Sequence, residues 1–213
     1  MEGLILVWDM DQTLIGKNPF EINARALKII KQAAERKSKV SAIFLLTNNS
    51  DTALINMVTE VLTEQLDLSP ELATENVFDG IMSAIDPTRI DSANTAYPPG
   101  GLKRLEDVKM LMVRNNLPFN PATLKDRVYF FDDLPNHKIR EQIPEDHYIQ
   151  IVPPFEDNSI KDETNYEPIH RALNGTKGGN KKKARKTRKW KRSTKHMVWK
   201  KGNRKIDPMS DLI

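Results

Sequence analysis

Two aspartates follow the first apolar run of the chain at a spacing that suits acid–base or metal chemistry. The run, Leu4–Trp8, predicts a buried β-strand, and Asp9 and Asp11 come directly after it. Because residues i and i+2 of an extended chain point to the same face, we expect the two carboxylates to crowd together. Such a pair can share a cation or a proton, with one member as nucleophile or metal ligand and the other as general acid. The alternative is a strand end with solvated acids, or an aspartate that caps a helix.

Two later apolar segments, residues 38–47 and 127–131, also end in polar side chains. These are Thr47, Asn48, Asn49, Asp132 and Asp133. Since the carboxyl ends of parallel strands meet at one edge of a sheet, we expect them to converge with the first pair of aspartates. Lys103, at the predicted start of a helix, can reach the same edge, although Lys109 and Lys125 are alternatives. Dense carboxylate oxygens suit Mg²⁺, and a lysine beside a helix start suits a phosphoryl group.

Strand and helix patterns alternate along the first 152 residues. Strands are predicted at 4–8, 38–47, 76–84, 127–131 and 147–152. Helices are predicted at 22–35, after Ser50 or Asp51, and at 70–75, 102–115 and 135–142, and residues 86–101 are predicted as a loop. This alternation predicts an α/β fold of three layers, a Rossmann-like parallel sheet covered on both faces.

Taken in order, these motifs resemble the haloacid dehalogenase (HAD) superfamily. The hallmark D-x-D-x-T stands here as Asp9-Met10-Asp11-Gln12-Thr13. The later motifs of that family are a strand ending in Thr, a Lys, and a strand ending in paired acids, and they match Thr47, Lys103 and Asp132-Asp133. The match covers about residues 3–152, and four ordered motifs are more specific than one.

The resemblance implies a HAD-like fold and a phosphatase. Asp9 would attack phosphorus to form an aspartyl-phosphate, and Asp11 would protonate the leaving oxygen and then activate water. An acid at Asp11 favours a phosphatase over a dehalogenase. Thr47, the Asn48 amide and Lys103 would bind the phosphoryl group. The implied ligands of Mg²⁺ are Asp9, Asp11 through its backbone carbonyl, Asp132 and Asp133.

The segments between the motifs are too short for a cap domain over this site. We expect a minimal cap, with the site covered at most by the loop at residues 86–101. Capless members of the superfamily act on macromolecules, among them phosphoproteins of the RNA polymerase C-terminal-domain type and polynucleotide ends. The resemblance therefore implies a macromolecular phosphomonoester as substrate. The alternative is a catalytically weak HAD-like protein that binds nucleic acid or nucleoprotein.

Charge divides the 213-residue chain into an acidic part and a basic part. Residues 1–174 contain 18 basic and 27 acidic residues, whereas residues 175–213 contain 15 basic and 2 acidic residues. We therefore predict a catalytic domain at 1–155, a linker at 156–174 and a disordered basic tail at 175–213. The absence of cysteine excludes disulfides and thiolate catalysis. With no signal peptide or apolar run long enough to span a membrane, we expect an intracellular protein, cytoplasmic or nuclear.

The densest part of the tail, residues 181–192, is predicted to bind a polyanion such as nucleic acid. Its basic residues can neutralise phosphates while Trp190 stacks on bases. The block also resembles a nuclear-localisation signal. The alternative is a solubilising tail that folds back on the acidic domain. The residues predicted to contact the polyanion are Lys181, Lys182, Lys183, Arg185, Lys186, Arg188, Lys189, Trp190, Lys191 and Arg192.

Overall fold

Five parallel strands form one sheet in the computed structural model, which describes residues 2–69, 76–90, 102–152 and 164–175. The strands are β1 (Leu4–Trp8), β2 (Val40–Leu46), β3 (Gly80–Met82), β4 (Val128–Asp132) and β5 (Tyr148–Gln150). The α-helices are α1 (Ala24–Ala34), α2 (Thr52–Leu66), α3 (Pro87–Ile90), α4 (Leu105–Arg114), α5 (His137–Gln142) and α6 (Glu167–Asn174). The predicted α/β class and parallel sheet are confirmed. The predicted helix at 70–75 and the predicted tail after Gly175 lie outside the described residues.

The strand order β3-β2-β1-β4-β5 places β1 at the centre of the sheet. Trp8 at the end of β1 is in register with Leu45 of β2 on one side and Phe131 of β4 on the other. From β1 the chain builds outward to β3, then returns past β1 to form β4 and β5. The direction of winding therefore reverses between β1 and β4, and ligands of open α/β sheets bind at such a reversal, outside the carboxyl ends of the strands.

Helices cover both faces of the sheet because the strand side chains alternate between two apolar clusters. Leu6 and Trp8 join the cluster packed against α1, α2 and α6, whereas Ile5 and Val7 join the cluster packed against α4 and α5. The Trp8 ring stacks on Phe131 with centroids 3.7 Å apart, so Trp8 belongs to the core. Together the two clusters fix the carboxyl ends of β1 and β4 side by side.

The segment predicted as a loop at 86–101 begins with a short helix, α3. Asp86 accepts the Thr88 N–H at 3.0 Å, and Pro87 occupies the first helical position, which is a recognised way to start a helix. Arg114 of α4 donates two hydrogen bonds to the Asp86 carboxylate, at 2.6 and 2.5 Å. These bonds tie the start of α3 to the end of α4. Residues 91–101 lie outside the described part of the chain.

The linker predicted at 156–174 is wrong for its second half, where the structure has α6. Ile169 and Leu173 are buried in the cluster that contains α1. The Leu173 carbonyl, in the last turn, accepts hydrogen bonds from Arg36 at 2.5 Å and from Lys39 at 3.0 Å. Tyr166, Ile169 and Leu173 recur at helical spacing, a signal that the acidic composition of the segment concealed. The folded unit therefore includes α6.

We expect Leu173→Ala to lower the free energy of unfolding by about 2–5 kcal/mol, because the substitution leaves a cavity in the core. Arg171→Ala on the exposed side of the same helix is the matched control and removes only a solvent-exposed ion pair with Glu167. Chemical denaturation of the full chain measures both changes. Equal stability of the two variants would mean that α6 does not contribute to the core.

Candidate active site and metal centre

A tight turn after β1 separates the two aspartates of the first motif. Asp9 still belongs to the sheet edge, since its N–H donates to the Phe131 carbonyl at 2.9 Å. The Met10 carbonyl then accepts the N–H groups of three successive residues, at 3.3, 2.9 and 3.1 Å, and Gln12 adopts a left-handed φ of 57°. These accepted N–H groups belong to Thr13, Leu14 and Ile15. Asp11 therefore lies on a turn rather than on a continuing strand.

Lys103 joins the ends of β1 and β4. Its Nζ lies 2.6 Å from Asp9 Oδ1 and 2.9 Å from Asp132 Oδ2, and its side chain is only 2% exposed. The lysine stands just before α4, as predicted. Lys109 instead forms an exposed ion pair with Glu106, and Lys125 is exposed on the surface. Of the three lysines, Lys103 is therefore the one that contacts the aspartates at the ends of β1 and β4.

Three carboxylates form a group that suits a divalent cation. Each of Asp9, Asp132 and Asp133 offers an oxygen within 4.8 Å of the others. Asp132 is held in place because its Oδ1 accepts the Leu134 N–H at 2.9 Å. A cluster of carboxylate oxygens with one face open to solvent through Asp133 is the donor set that Mg²⁺ prefers. The residues present therefore fit this ion.

The Asp11 carboxylate lies outside that group. Its oxygens accept hydrogen bonds from the Asn49 side chain, at 3.2 and 3.4 Å. The expected crowding of Asp9 and Asp11 is therefore replaced by two separate sets of partners, and the close neighbour of Asp9 is Asp132. The resemblance implied only the backbone carbonyl of Asp11 as a metal ligand, so the position of its carboxylate does not contradict that prediction.

The polar groups after β2 are arranged around Thr47 and Arg89. The Thr47 hydroxyl accepts the Asn49 N–H at 3.0 Å and is fully buried, whereas Asn48 is exposed. Arg89 of α3 donates to the Thr47 carbonyl and to Asn48 Oδ1, both at 2.8 Å. Its guanidinium therefore fixes the backbone that was predicted to bind phosphate.

Sequence reasoning missed the roles of Arg89 and Asn49. The Asp86-Pro87 start of α3 was a usable signal for a helix there, but not for the contact of Arg89 with a strand end 42 residues away. The Asn49 contact with Asp11 spans 38 residues and has no local signature.

Burial raises the pKa values of two of the three clustered aspartates, Asp9 and Asp133, towards neutral pH. Burial and the charge of Asp132 raise the pKa of Asp9 from 3.8 to about 7, against the opposing effect of Lys103. Burial and Asp132 likewise raise the pKa of Asp133 to about 6. Burial acts to lower the pKa of Lys103, but Asp9 and Asp132 outweigh it and raise that pKa. One ammonium thus faces three carboxylates, and the excess negative charge is relieved by a proton or by a cation.

Comparisons of the chain with protein-family models, with curated proteins and with solved structures give no match. The site is therefore interpreted from its own geometry. No helix in the described parts of the chain is both long and apolar enough to cross a membrane.

We expect the stability of the metal-free protein to fall as pH rises from 4 to 7, partly through Asp9. The folded state keeps the Asp9 proton up to about pH 7, whereas the unfolded state loses it near pH 3.8. Folding therefore binds a proton in this window, and its stability declines by up to about 1.4 kcal/mol per pH unit. Asp9→Asn, which has no proton to lose, is expected to flatten the profile.

Denaturation at several pH values in the presence of a chelator measures this effect. Because Asp133 is present in both proteins, the difference between wild type and Asp9→Asn reports Asp9 together with its coupling to Asp133. Parallel profiles for the two proteins would contradict the raised pKa of Asp9.

Proposed function

We propose that the protein is a Mg²⁺-dependent phosphoric monoester hydrolase of the HAD type. The observation that carries this proposal is the convergence of Asp9, Lys103 and Asp132, which are distant in sequence, within 2.6–2.9 Å at the end of the sheet. They lie where the winding of the sheet reverses, which is the usual ligand position in this architecture. A HAD-like version of the α/β fold is part of the same proposal.

The proposed reaction has two displacements at phosphorus. The Asp9 carboxylate attacks the phosphoryl group, the ester P–O bond breaks, and Asp11 gives its proton to the leaving oxygen. Water then attacks phosphorus in the aspartyl-phosphate and gives a proton to Asp11. The bond between phosphorus and the Asp9 oxygen breaks, phosphate leaves, and both aspartates return to their starting states. The contact with Asn49 holds the Asp11 carboxyl apart from the group formed by Asp9, Asp132 and Asp133, so that the proposed nucleophile and the proposed acid have separate partners.

The groups around the nucleophile supply the positive charge that a phosphoryl group requires. Lys103 contacts the attacking carboxylate, and Arg89 holds the backbone at Thr47, where a hydroxyl and nearby N–H groups can bind phosphoryl oxygens. The carboxylates of Asp9, Asp132 and Asp133 would hold Mg²⁺, with the Asp11 carbonyl as the further ligand implied by the resemblance. When bound, the ion neutralises charge on the transferred group.

We propose a macromolecular phosphomonoester as the substrate, either a phosphoprotein or a nucleic-acid end. Two of the connections at the carboxyl edge are short: residues 9–23 join β1 to α1, and residues 47–51 join β2 to α2. Neither leaves room for a cap domain, which supports access by a large substrate.

The second candidate is a HAD-like protein with weak catalysis that binds nucleic acid or nucleoprotein. One observation favours it. Asp9 is only 7% exposed and Lys103 only 2%, so a phosphoryl group must displace covering atoms to reach the nucleophile. Turnover of a small substrate discriminates between the two candidates.

We expect the purified protein to hydrolyse an aryl phosphate with Mg²⁺ and to lose this activity in chelator. Asp9→Asn is expected to reduce kcat at least a thousandfold, because an amide does not attack phosphorus, and Asp11→Asn to reduce it about a hundredfold or more. Asp146→Asn, an exposed acid before β5, is the matched control. Steady-state kinetics measures all three. Wild-type turnover in Asp9→Asn would refute the proposed nucleophile, and no turnover in the wild type would favour the second candidate.

We also propose that the basic segment at residues 175–213 binds a polyanion and brings the macromolecular substrate to the domain. The support is its 15 basic residues against 2 acids, with tryptophans placed among them.

Deleting residues 176–213 is expected to leave aryl phosphate hydrolysis nearly unchanged and to weaken binding of single-stranded nucleic acid. The proposed catalytic groups all precede the deletion, and α6 is retained. For the full chain, the logarithm of affinity is expected to fall by about 0.7 per neutralised phosphate for each tenfold rise in salt. Mobility-shift assays at two salt concentrations test this. Equal affinity with and without the segment would contradict the proposal.

A further inference from the structure

The exposed side of α1 is strongly basic although the domain as a whole is acidic. Residues 24–39 contain six basic side chains and a single acid, Glu35. We call the six the α1 basic surface: Arg25, Lys28, Lys31, Arg36, Lys37 and Lys39. None of the ion pairs between described residues involves Lys28, Lys31, Arg36, Lys37 or Lys39. This surface therefore carries a concentrated positive charge.

One end of the α1 basic surface lies near the carboxyl edge of the sheet. Asn23 caps α1 and donates from its side chain to the Thr13 carbonyl at 3.2 Å, which attaches the start of the helix to the turn that carries Asp11. Arg25 and Lys28 follow in the first turns and line a cavity of about 300 Å³ between α1 and α6. The Arg25 guanidinium lies over the Tyr166 ring, 5.8 Å from its centroid, and this contact orients it in the cavity.

The other end of the α1 basic surface lies at the opposite edge of the sheet, beside the last turn of α6. Lys39 donates to the Leu173 carbonyl, and its Nζ lies close to Gly175, 3.2 Å from where a Cβ would stand on that residue. Gly175 is the residue at which the basic segment 175–213 begins. The surface thus runs about 16 Å along α1, from the candidate active site to the origin of that segment.

We propose that the α1 basic surface binds the phosphate backbone of single-stranded nucleic acid. Arg25, Lys28 and Lys31 lie along α1 and Arg36, Lys37 and Lys39 follow its last turn, so the cations are spread along the length of the helix, which matches an extended polyanion. The rest of residues 1–174 carries a net negative charge and repels a polyanion, which favours contact at the α1 basic surface. The inference does not require hydrolysis, and it extends the proposed polyanion binding of the basic segment to a surface of the folded domain.

The test is Lys28→Gln combined with Lys37→Gln in the full chain. Both lysines are exposed, and the double variant leaves the Arg25–Tyr166 contact and the Arg36 and Lys39 hydrogen bonds in place. The control, Lys109→Gln with Lys125→Gln, makes the same charge change on the other face of the sheet, where α4 packs. Fluorescence anisotropy with a 20-nucleotide RNA and the matching DNA gives the affinity between 50 and 200 mM salt.

We expect the α1 double variant to bind more weakly than the control at low salt and to show a shallower salt dependence. Loss of two phosphate contacts lowers the slope by about 1.4, so the affinity advantage of wild type shrinks about sevenfold across this salt range. Wild-type amides at residues 24–39 are also expected to exchange more slowly with RNA bound.

Affinity and slope equal to those of the control would overturn the inference. It would equally be overturned if the double variant kept RNA affinity but lost binding to an acidic phosphopeptide, which would assign the surface to a protein partner. The basic segment 175–213 is intact in all of these variants, so a negative result would not contradict the proposal that this segment binds a polyanion, which the deletion tests separately. The binding measurements also do not depend on phosphatase activity.

Discussion

The burial of one ammonium between two carboxylates is the constraint on which the rest of the site depends. Lys103, Asp9 and Asp132 are each less than 10% exposed, and an unpaired charge at such a depth costs several kcal/mol. Each charge is therefore tolerated only while the others are in place. This requirement places Lys103, just ahead of α4, over the gap between the carboxyl ends of β1 and β4. It also leaves the group short of positive charge, because Asp133 adds a third carboxylate beside a single lysine.

The return of the chain from β3 to β4 connects the carboxylate side of the site to the polar groups after β2. The α3 helix, at the start of this crossing, brings Arg89 to the end of β2, and the Asp86–Arg114 pair ties α3 to α4. The hydrogen bonds from Arg114 outweigh burial and lower the pKa of Asp86 to about 2, so this pair persists at any ordinary pH. Because Lys103 precedes α4, a shift of this helix moves the ammonium as well as Arg89. The proposed metal-binding and phosphate-binding sides are thus coupled through two helices.

The sequence predicted the parts of this arrangement that depend on local pattern. Apolar runs ending in acids located the strand ends, and the parallel sheet followed from the alternation of strands and helices. The choice of Lys103 over Lys109 and Lys125 required the fold, because all three lysines suit a polar helix or loop equally well in sequence. The contacts of Asn49 and Arg89 join residues about 40 positions apart, which no local spacing encodes. The α6 helix was missed because the acidic composition of its segment concealed the helical spacing of Tyr166, Ile169 and Leu173.

The uneven distribution of charge along the chain bears on how a phosphorylated molecule could approach the candidate site. The three carboxylates of Asp9, Asp132 and Asp133, in an acidic domain, would repel the proposed phosphorylated macromolecule, and Lys103 and Arg89 offset this repulsion only in part. A bound cation would reverse the sign at the reacting group, but it would act within only about 8 Å at physiological ionic strength. Attraction at longer range has to come from cations outside the site. The α1 basic surface begins beside the turn that carries Asp11, so a polyanion held there would lie close to the candidate site.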